Sequence, residues 1–216
     1  MRLLIFCVIA LSVFSCGRKK RQIIETGTKT FGDGTVMSTQ LYTDHDSVFE
    51  EFREPNGNLF MVKKSDTEKN FRDSTYAFVA YFTNGNVMQS GSFVKKELAG
   101  TWVEYYVGGK KRSSSQFENG KVVQLNEWWE NGNVNTESKY LDKNKMIHKE
   151  FFENGNPAQT LEIDSVGTGT CTNYYLNGKE KEEGNVYRKN PSGMWIRFDS
   201  LGNKLRDTLL GFPKLK

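Results

Sequence analysis

Gly100-Thr101-Trp102-Val103-Glu104-Tyr105-Tyr106, closed two residues later by Gly109-Lys110-Lys111, has the make-up of a strand running into a tight turn. Aromatic and β-branched side chains suit a pleated, half-buried surface, and glycine supplies the positive φ that a hairpin turn requires. Moving outward in both directions, a turn glycine recurs at Gly34, Gly57, Gly85, Gly109, Gly132, Gly155, Gly178 and Gly202, with spacings of 23, 28, 24, 23, 23, 23 and 24 residues. A fixed period of this length marks a repeat architecture. Five of these glycines follow asparagine, in Asn56-Gly57, Asn84-Gly85, Asn131-Gly132, Asn154-Gly155 and Asn177-Gly178. That dipeptide predicts two-residue type I′ hairpin turns. The one long spacing coincides with the polar stretch 63–74, which reads as an insertion loop.

Aligned on the turn glycine, the aromatic residues fall into columns. Four residues before it stand Tyr81, Tyr105, Trp128, Phe151, Tyr174 and Phe198; three before it stand Phe31, Phe82, Tyr106, Trp129, Phe152 and Tyr175. Successive side chains on a strand point to opposite faces, so both faces carry rings near each turn, and the expectation is one column buried and the other partly exposed. Seven residues before the glycine come Phe78, Trp102, Leu125, His148, Cys171 and Trp195; eight after it come Tyr42, Phe93, Phe117, Tyr140, Ile163, Val186 and Leu210. No stretch beyond residue 15 offers a useful helical period. The expected fold is therefore all-β: an elongated, meandering antiparallel array of β-hairpins over residues 31–210, about sixteen strands stacked over about 75 Å.

The unit around Gly109, and a second one in Gly193-Met194-Trp195-Ile196-Arg197-Phe198 with Gly202-Asn203-Lys204-Leu205, resemble the MORN-repeat variants, a family that includes antitoxin-like bacterial proteins. The resemblance runs closely over 78–206 and more loosely over 31–62, where Glu50 and Arg53 replace apolar or aromatic residues. It implies a meandering antiparallel sheet, no catalytic residues, and roles in scaffolding, partner recognition or lipid contact.

The first residues read as an address. Met1-Arg2 is a short basic start, an apolar run of twelve residues broken only by Ser12 extends from Leu3 to Phe14, and Ser15-Cys16-Gly17 closes it, which is the anatomy of an export signal over 1–15. As a helix, that run would rise about 18 Å, short of a hydrocarbon core of about 30 Å. Val13-Phe14-Ser15-Cys16 resembles the lipobox of bacterial lipoproteins, which implies cleavage before Cys16 and palmitate-type acylation of its sulfur. Cys7 would leave with the signal and only Cys171 would remain in the folded part, so no intramolecular disulfide is expected. Arg18, Lys19, Lys20 and Arg21 would then face anionic lipid from a linker over 16–30. Localisation in the cell envelope follows, on the periplasmic face of an outer membrane, with the membrane as partner through Cys16. The terminal 211–216, with Pro213, Lys214 and Lys216, suits protection of an exposed sheet end.

Charge and composition narrow the function. The 216 residues carry 30 Lys+Arg against 26 Asp+Glu, a formal net charge of +4, so nucleic acid is not an expected partner. Hydrophobic residues at 37% and aromatics at 13% exclude a disordered chain. No P-loop, HExxH or nucleophile elbow occurs, and Gly167-Thr168-Gly169 lacks the spacing of a dinucleotide loop. His148 and Cys171 share the column of Trp102 and Trp195 and read as packed residues. Asp44-His45-Asp46 reads as a polar turn, and Glu50-Glu51 and Glu182-Glu183 as solvated positions. The expectation is a non-enzymatic, lipid-anchored repeat protein without cofactor or metal. It would use Tyr81, Tyr105, Trp128, Phe151, Tyr174 and Phe198 as a binding surface for another protein. The alternatives are an immunity or antitoxin-like inhibitor and a glycan-binding envelope protein.

Overall fold

The computed structural model describes residues 21–31, 33–141 and 144–210. The expected signal segment 1–15, Cys16, the cations Arg18, Lys19 and Lys20, and the tail 211–216 lie outside the described residues. Sixteen strands follow one another: β1 (Gln22–Thr30), β2 (Val36–Asp44), β3 (Ser47–Arg53), β4 (Leu59–Ser65), β5 (Tyr76–Tyr81), β6 (Val87–Val94), β7 (Glu97–Tyr105) and β8 (Lys111–Glu118) make the first half. The second half is β9 (Lys121–Trp128), β10 (Val134–Tyr140), β11 (Lys145–Phe151), β12 (Pro157–Asp164), β13 (Gly169–Tyr174), β14 (Glu180–Tyr187), β15 (Asn190–Arg197) and β16 (Thr208–Leu210). They form one open sheet in which spatial order equals chain order. Each strand is antiparallel to its neighbours, the meander that the repeat predicts.

The turns exchange the types expected of them. At Asn84-Gly85 the Phe82 N–H donates to the Asn86 carbonyl and the Gly85 N–H to the Phe82 carbonyl, both at 2.8 Å. Gly85 takes φ +86 while Asn84 stays outside the positive-φ region. This is a three-residue loop, a type I turn followed by a left-handed glycine, and its length rather than the Asn-Gly dipeptide selects it. The Asn84 Oδ1 accepts the Asn86 N–H at 3.0 Å, and the same side-chain bond recurs at Asn56, Asn131, Asn154 and Asn177. Pairs of positive-φ residues lie on the opposite edge, between hairpins, at Lys95-Lys96, Asn119-Gly120 and Arg188-Lys189. Each joins strands whose flanking residues pair directly, as Val94 does with Glu97, which is the two-residue type I′ geometry.

Two boundaries also shift. Residues 22–30, expected within a linker, are β1, paired from Gln22 opposite Thr43 to Thr30 opposite Val36. Ile23, Ile24 and three threonines suit a strand, but β1 precedes the first turn glycine and carries no ring for the alignment to find. Within 63–74, Lys63 to Ser65 complete β4, and one helical turn follows, α1 (Glu68–Arg72). Thr67 caps it by accepting the Asn70 N–H at 3.1 Å, and Lys69 pairs with Asp73. Phe71 from this turn lies 5.7 Å from the Tyr76 ring.

Side chains directly opposite one another across antiparallel strands share a face, and one such row runs from β5 to β15, crossing the irregular β6–β7 step where Trp102 lies against Gly91. It passes through Phe78, Gly91, Trp102, Ser115, Leu125, Ser138, His148, Leu161, Cys171, Gly184 and Trp195. Small residues stand beside the largest ones. A Cβ on Gly91 would lie 2.5 Å from the Trp102 ring, and one on Gly184 would lie 2.6 Å from the Trp195 ring. The indoles thus lie flat across neighbouring strands. Phe78 meets Trp102 at 4.9 Å between centroids, and Phe93 meets it edge-on at 5.9 Å. Towards the end of the array, Ile163, Cys171, Val186 and Trp195 form the buried cluster, with Met146, Leu161 and Leu210 packed against it.

Candidate functional site

Tyr81, Tyr105, Trp128, Phe151 and Tyr174 are the last residues of β5, β7, β9, β11 and β13, and Phe198 follows β15. They therefore recur every second strand, about 10 Å apart, along the edge of the Asn-Gly turns. Tyr105 stands three positions beyond Trp102, so alternation turns the column to the face opposite the core row. All six rings are half-buried, and so are Phe82, Tyr106, Trp129, Phe152 and Tyr175 in the neighbouring column. The expectation of one buried and one exposed aromatic column is therefore corrected. A single sheet has no second layer to cover either column, and the full burial lies at mid-strand instead.

Hydrogen bonds between successive turns fix the spacing of the rings. The Tyr106 hydroxyl donates to the Trp128 carbonyl at 2.7 Å, the Trp129 Nε1 to Phe151 at 3.1 Å and the Tyr175 hydroxyl to Phe198 at 2.9 Å. In parallel, Asn84 and Asn86 both donate to the Val107 carbonyl, Asn131 and Asn133 to Glu153, and Asn154 and Asn156 to Leu176. The asparagines that shape each turn thus also tie it to the next. Beside the rings, Ser90, Val103, Ser114, Asn126, Glu137, Lys149, Thr160 and Thr172 occupy one register row of the same face. Lys111 holds its ammonium 5.4 Å from the Trp128 ring. Chemically, the strip offers ring surface at a regular interval beside hydroxyl, amide and charged groups.

Other polar groups that the sequence brings to attention have defined partners. The Ser138 Oγ lies 2.7 Å from His148 Nδ1, and His148 Nε2 lies 3.0 Å from Glu150 Oε1. This Ser-His-Glu sequence of contacts has the order of a hydrolytic triad, but Ser138 is 8% exposed and lies in the row between Leu125 and His148. β10 is hydrogen-bonded on both sides, so its amides serve the ladders and do not converge on an oxyanion position. Cys171 is buried, and burial, with the charges of Glu182 and Glu150, pushes its thiol pKa up, away from the reactive thiolate. Asp44-His45-Asp46 forms the turn between β2 and β3, with His45 at φ 57 and its Nδ1 2.9 Å from Asp44. Among the described residues, no group of three or more His, Cys, Asp or Glu side chains is placed to hold a metal ion.

One cluster joins the repeat-column residue Tyr42 to charged residues outside the repeat pattern. The Tyr42 hydroxyl donates to Glu51 Oε1 at 2.8 Å, and Arg53 Nη2 donates to Glu51 Oε2 at 2.8 Å. Phe49 stacks on Tyr42 at 5.3 Å, and the Arg21 guanidinium lies 3.6 Å from the Tyr42 centroid and 3.6 Å from Glu51. Arg21, expected to face lipid, is here part of the sheet's ion-pair network. Burial disfavours the Glu51 carboxylate, but the Tyr42 hydroxyl, the Arg53 guanidinium and the Arg21 charge outweigh it and hold its pKa below the ordinary 4.5. Burial and the adjacent Glu51 push the Tyr42 pKa up to about 12. The Glu51 contribution to stability is thus present above its unfolded pKa and lost as pH falls through the lowered one. The Tyr42 contribution is present below its unfolded value near 10 and lost as pH rises towards 12. Tyr42→Phe is expected to lose about 1.5–3 kcal/mol at neutral pH and to flatten the alkaline part of the profile. Urea unfolding at neutral pH and at successive alkaline values checks both.

The fold and this strip define a class: a single-layer, open meander of β-hairpin repeats with a regularly spaced aromatic edge. Neither protein-family models nor curated proteins match the chain, so the functional reading rests on the strip itself.

Proposed function

We propose that the chain is a non-enzymatic repeat protein of MORN-variant type, anchored through acylated Cys16 to a membrane of the bacterial envelope, that binds another protein along its aromatic strip. The observation that carries this reading is the column Tyr81, Tyr105, Trp128, Phe151, Tyr174 and Phe198. Its six rings hold one register position and are left half-exposed in a sheet whose buried cluster lies elsewhere. Rings on a fixed pitch beside hydroxyl and amide groups offer a partner large contact area at low entropic cost. An extended partner can meet several units at once, and a lipid anchor raises the effective concentration for targets at the same membrane.

The test is crosslinking in cells followed by purification of the tagged protein from membranes, with Cys16→Ala and the double substitution Trp128→Ala/Phe151→Ala beside the wild type. A stoichiometric protein partner is expected with the wild type and lost in both variants, with the double variant still melting cooperatively. Capture that survives removal of both rings would overturn the strip as the binding surface. Capture that survives Cys16→Ala would overturn the role of the anchor.

A further inference from the structure

The two ends of the open sheet are unequal. β16 has three residues, whereas β1 has nine, all of them exposed, including Ile23 at 57% and Ile24 at 43%. An edge of that length presents a row of backbone donors and acceptors to any strand that can pair with it, and natural proteins usually blunt such edges. β1 contains no proline, and its one irregularity lies near its start, between Ile23 and Glu25. From Glu25 to Thr30 the ladder to β2 is regular, which leaves the outer edge equally regular.

Gly27 sits at the centre of that segment. Its φ is not positive, and a Cβ added there would meet Thr39 Oγ1 at 3.4 Å, an ordinary contact. Among the described residues, nothing therefore requires glycine there, in contrast to Gly91 and Gly184 beneath their indoles. Within a strand, glycine weakens pairing and often marks the close approach of another backbone. Glu25 and Lys29 stand two residues on either side of Gly27 and share its face. A second copy of β1 laid antiparallel with the two-fold axis through Gly27 sets Glu25 of each copy opposite Lys29 of the other, Thr26 opposite Thr28, and glycine opposite glycine. Inside its own chain, Lys29 lies 5.6 Å from the Phe52 ring, and the Glu25 charge is felt by Arg72. Both side chains are exposed and free to turn towards the edge.

We infer that β1 is a self-association edge, joining two copies of this chain through antiparallel β1–β1 pairing into one continuous sheet related by a two-fold axis. The contact is isologous, so it closes at two copies and does not propagate. Opposite charges across antiparallel strands stabilise the pair and like charges destabilise it, and the symmetry doubles either effect. The segment commits the strand to one register, since a shift by two residues sets neither charge opposite its complement.

The test uses the full chain extracted from membranes in non-ionic detergent, with self-association followed by sedimentation velocity over micromolar concentrations. The wild type is expected to form a concentration-dependent dimer. Glu25→Lys and Lys29→Glu each place two like-charge pairs across the axis and are expected to weaken the dimer about tenfold or more. The double substitution E25K/K29E restores opposite charges and is expected to recover the wild-type dimer. An equimolar mixture of the two single variants is expected to form the mixed dimer. A wild type that stays monomeric would overturn the inference, as would a dimer indifferent to the single reversals. Single reversals that weaken the dimer without rescue by the swap would overturn the register.

Discussion

Trp195→Ala is expected to cost about 3–5 kcal/mol, because the indole is the largest member of the buried cluster and its removal leaves the other members uncovered. Trp195 is 3% exposed, packs with Ile163, Cys171 and Val186, and donates its Nε1 to the Asn185 carbonyl at 3.0 Å. In a single-layer sheet the space it leaves opens to water, so the Asn185 carbonyl can be hydrated while the apolar neighbours lose their cover. The converse change acts on the same contact. Gly184→Ala places a methyl group 2.6 Å from the indole and is expected to cost about 1–3 kcal/mol by forcing the ring off its seat. With the ring removed, the methyl meets no indole, so Trp195→Ala/Gly184→Ala should cost clearly less than the two single changes added together. Urea unfolding of the four proteins closes the cycle. Strict additivity would show that the indole does not lie on Gly184 in solution.

Phe52→Ala is expected to have an effect of the same size, about 3–5 kcal/mol, at the other end of the array. Phe52 is completely buried, and its ring meets Phe31 edge-on at 6.5 Å and lies 4.5 Å from the Lys63 ammonium. It stands opposite Thr39 and Met61 and so joins β2, β3 and β4. In a repeat array each unit touches only its neighbours, and stability is nearly a sum of local terms. Amide hydrogen exchange should therefore quicken over β2–β5 in Phe52→Ala and over β12–β16 in Trp195→Ala, with the far end of the sheet protected in each case. Equal loss of protection throughout both variants would show that the sixteen strands unfold as one unit.

The repeat glycines made the strand count and the meander legible, because a turn every 23 residues leaves room for two strands and little else. Side-chain alternation likewise placed the six rings on one face. Burial was not legible. Whether Tyr105 or Tyr106 is covered depends on a second layer, and no residue in the chain announces that there is none. The turn types were exchanged because Asn84-Gly85 favours either of two loops, and the length of the loop between Tyr81 and Val87 chooses between them. β1 was hidden because its threonines and isoleucines precede the first aligned unit. The contact between Ser138 and His148 needed the register of β10 against β11. A signal for it was nevertheless present. Six residues after five successive turn glycines stand Gly91, Ser115, Ser138, Leu161 and Gly184, four of them small; this column lies opposite that of Trp102 and Trp195, and its glycines mark where the indoles lie across the sheet.

Because spatial order equals chain order from β1 to β16, the first and last strands lie at opposite ends of the sheet. Tension between them acts along the ladder hydrogen bonds and across the strands, so load falls on one ladder at a time instead of being shared by all of them in shear. Under force the sheet would peel strand by strand. Each released residue adds up to about 3.4 Å of contour length while the remaining strands keep their pairing. The bonds that tie one turn to the next, such as those from Asn131 and Asn133 to the Glu153 carbonyl, must break with each hairpin and so add to the load at which it yields.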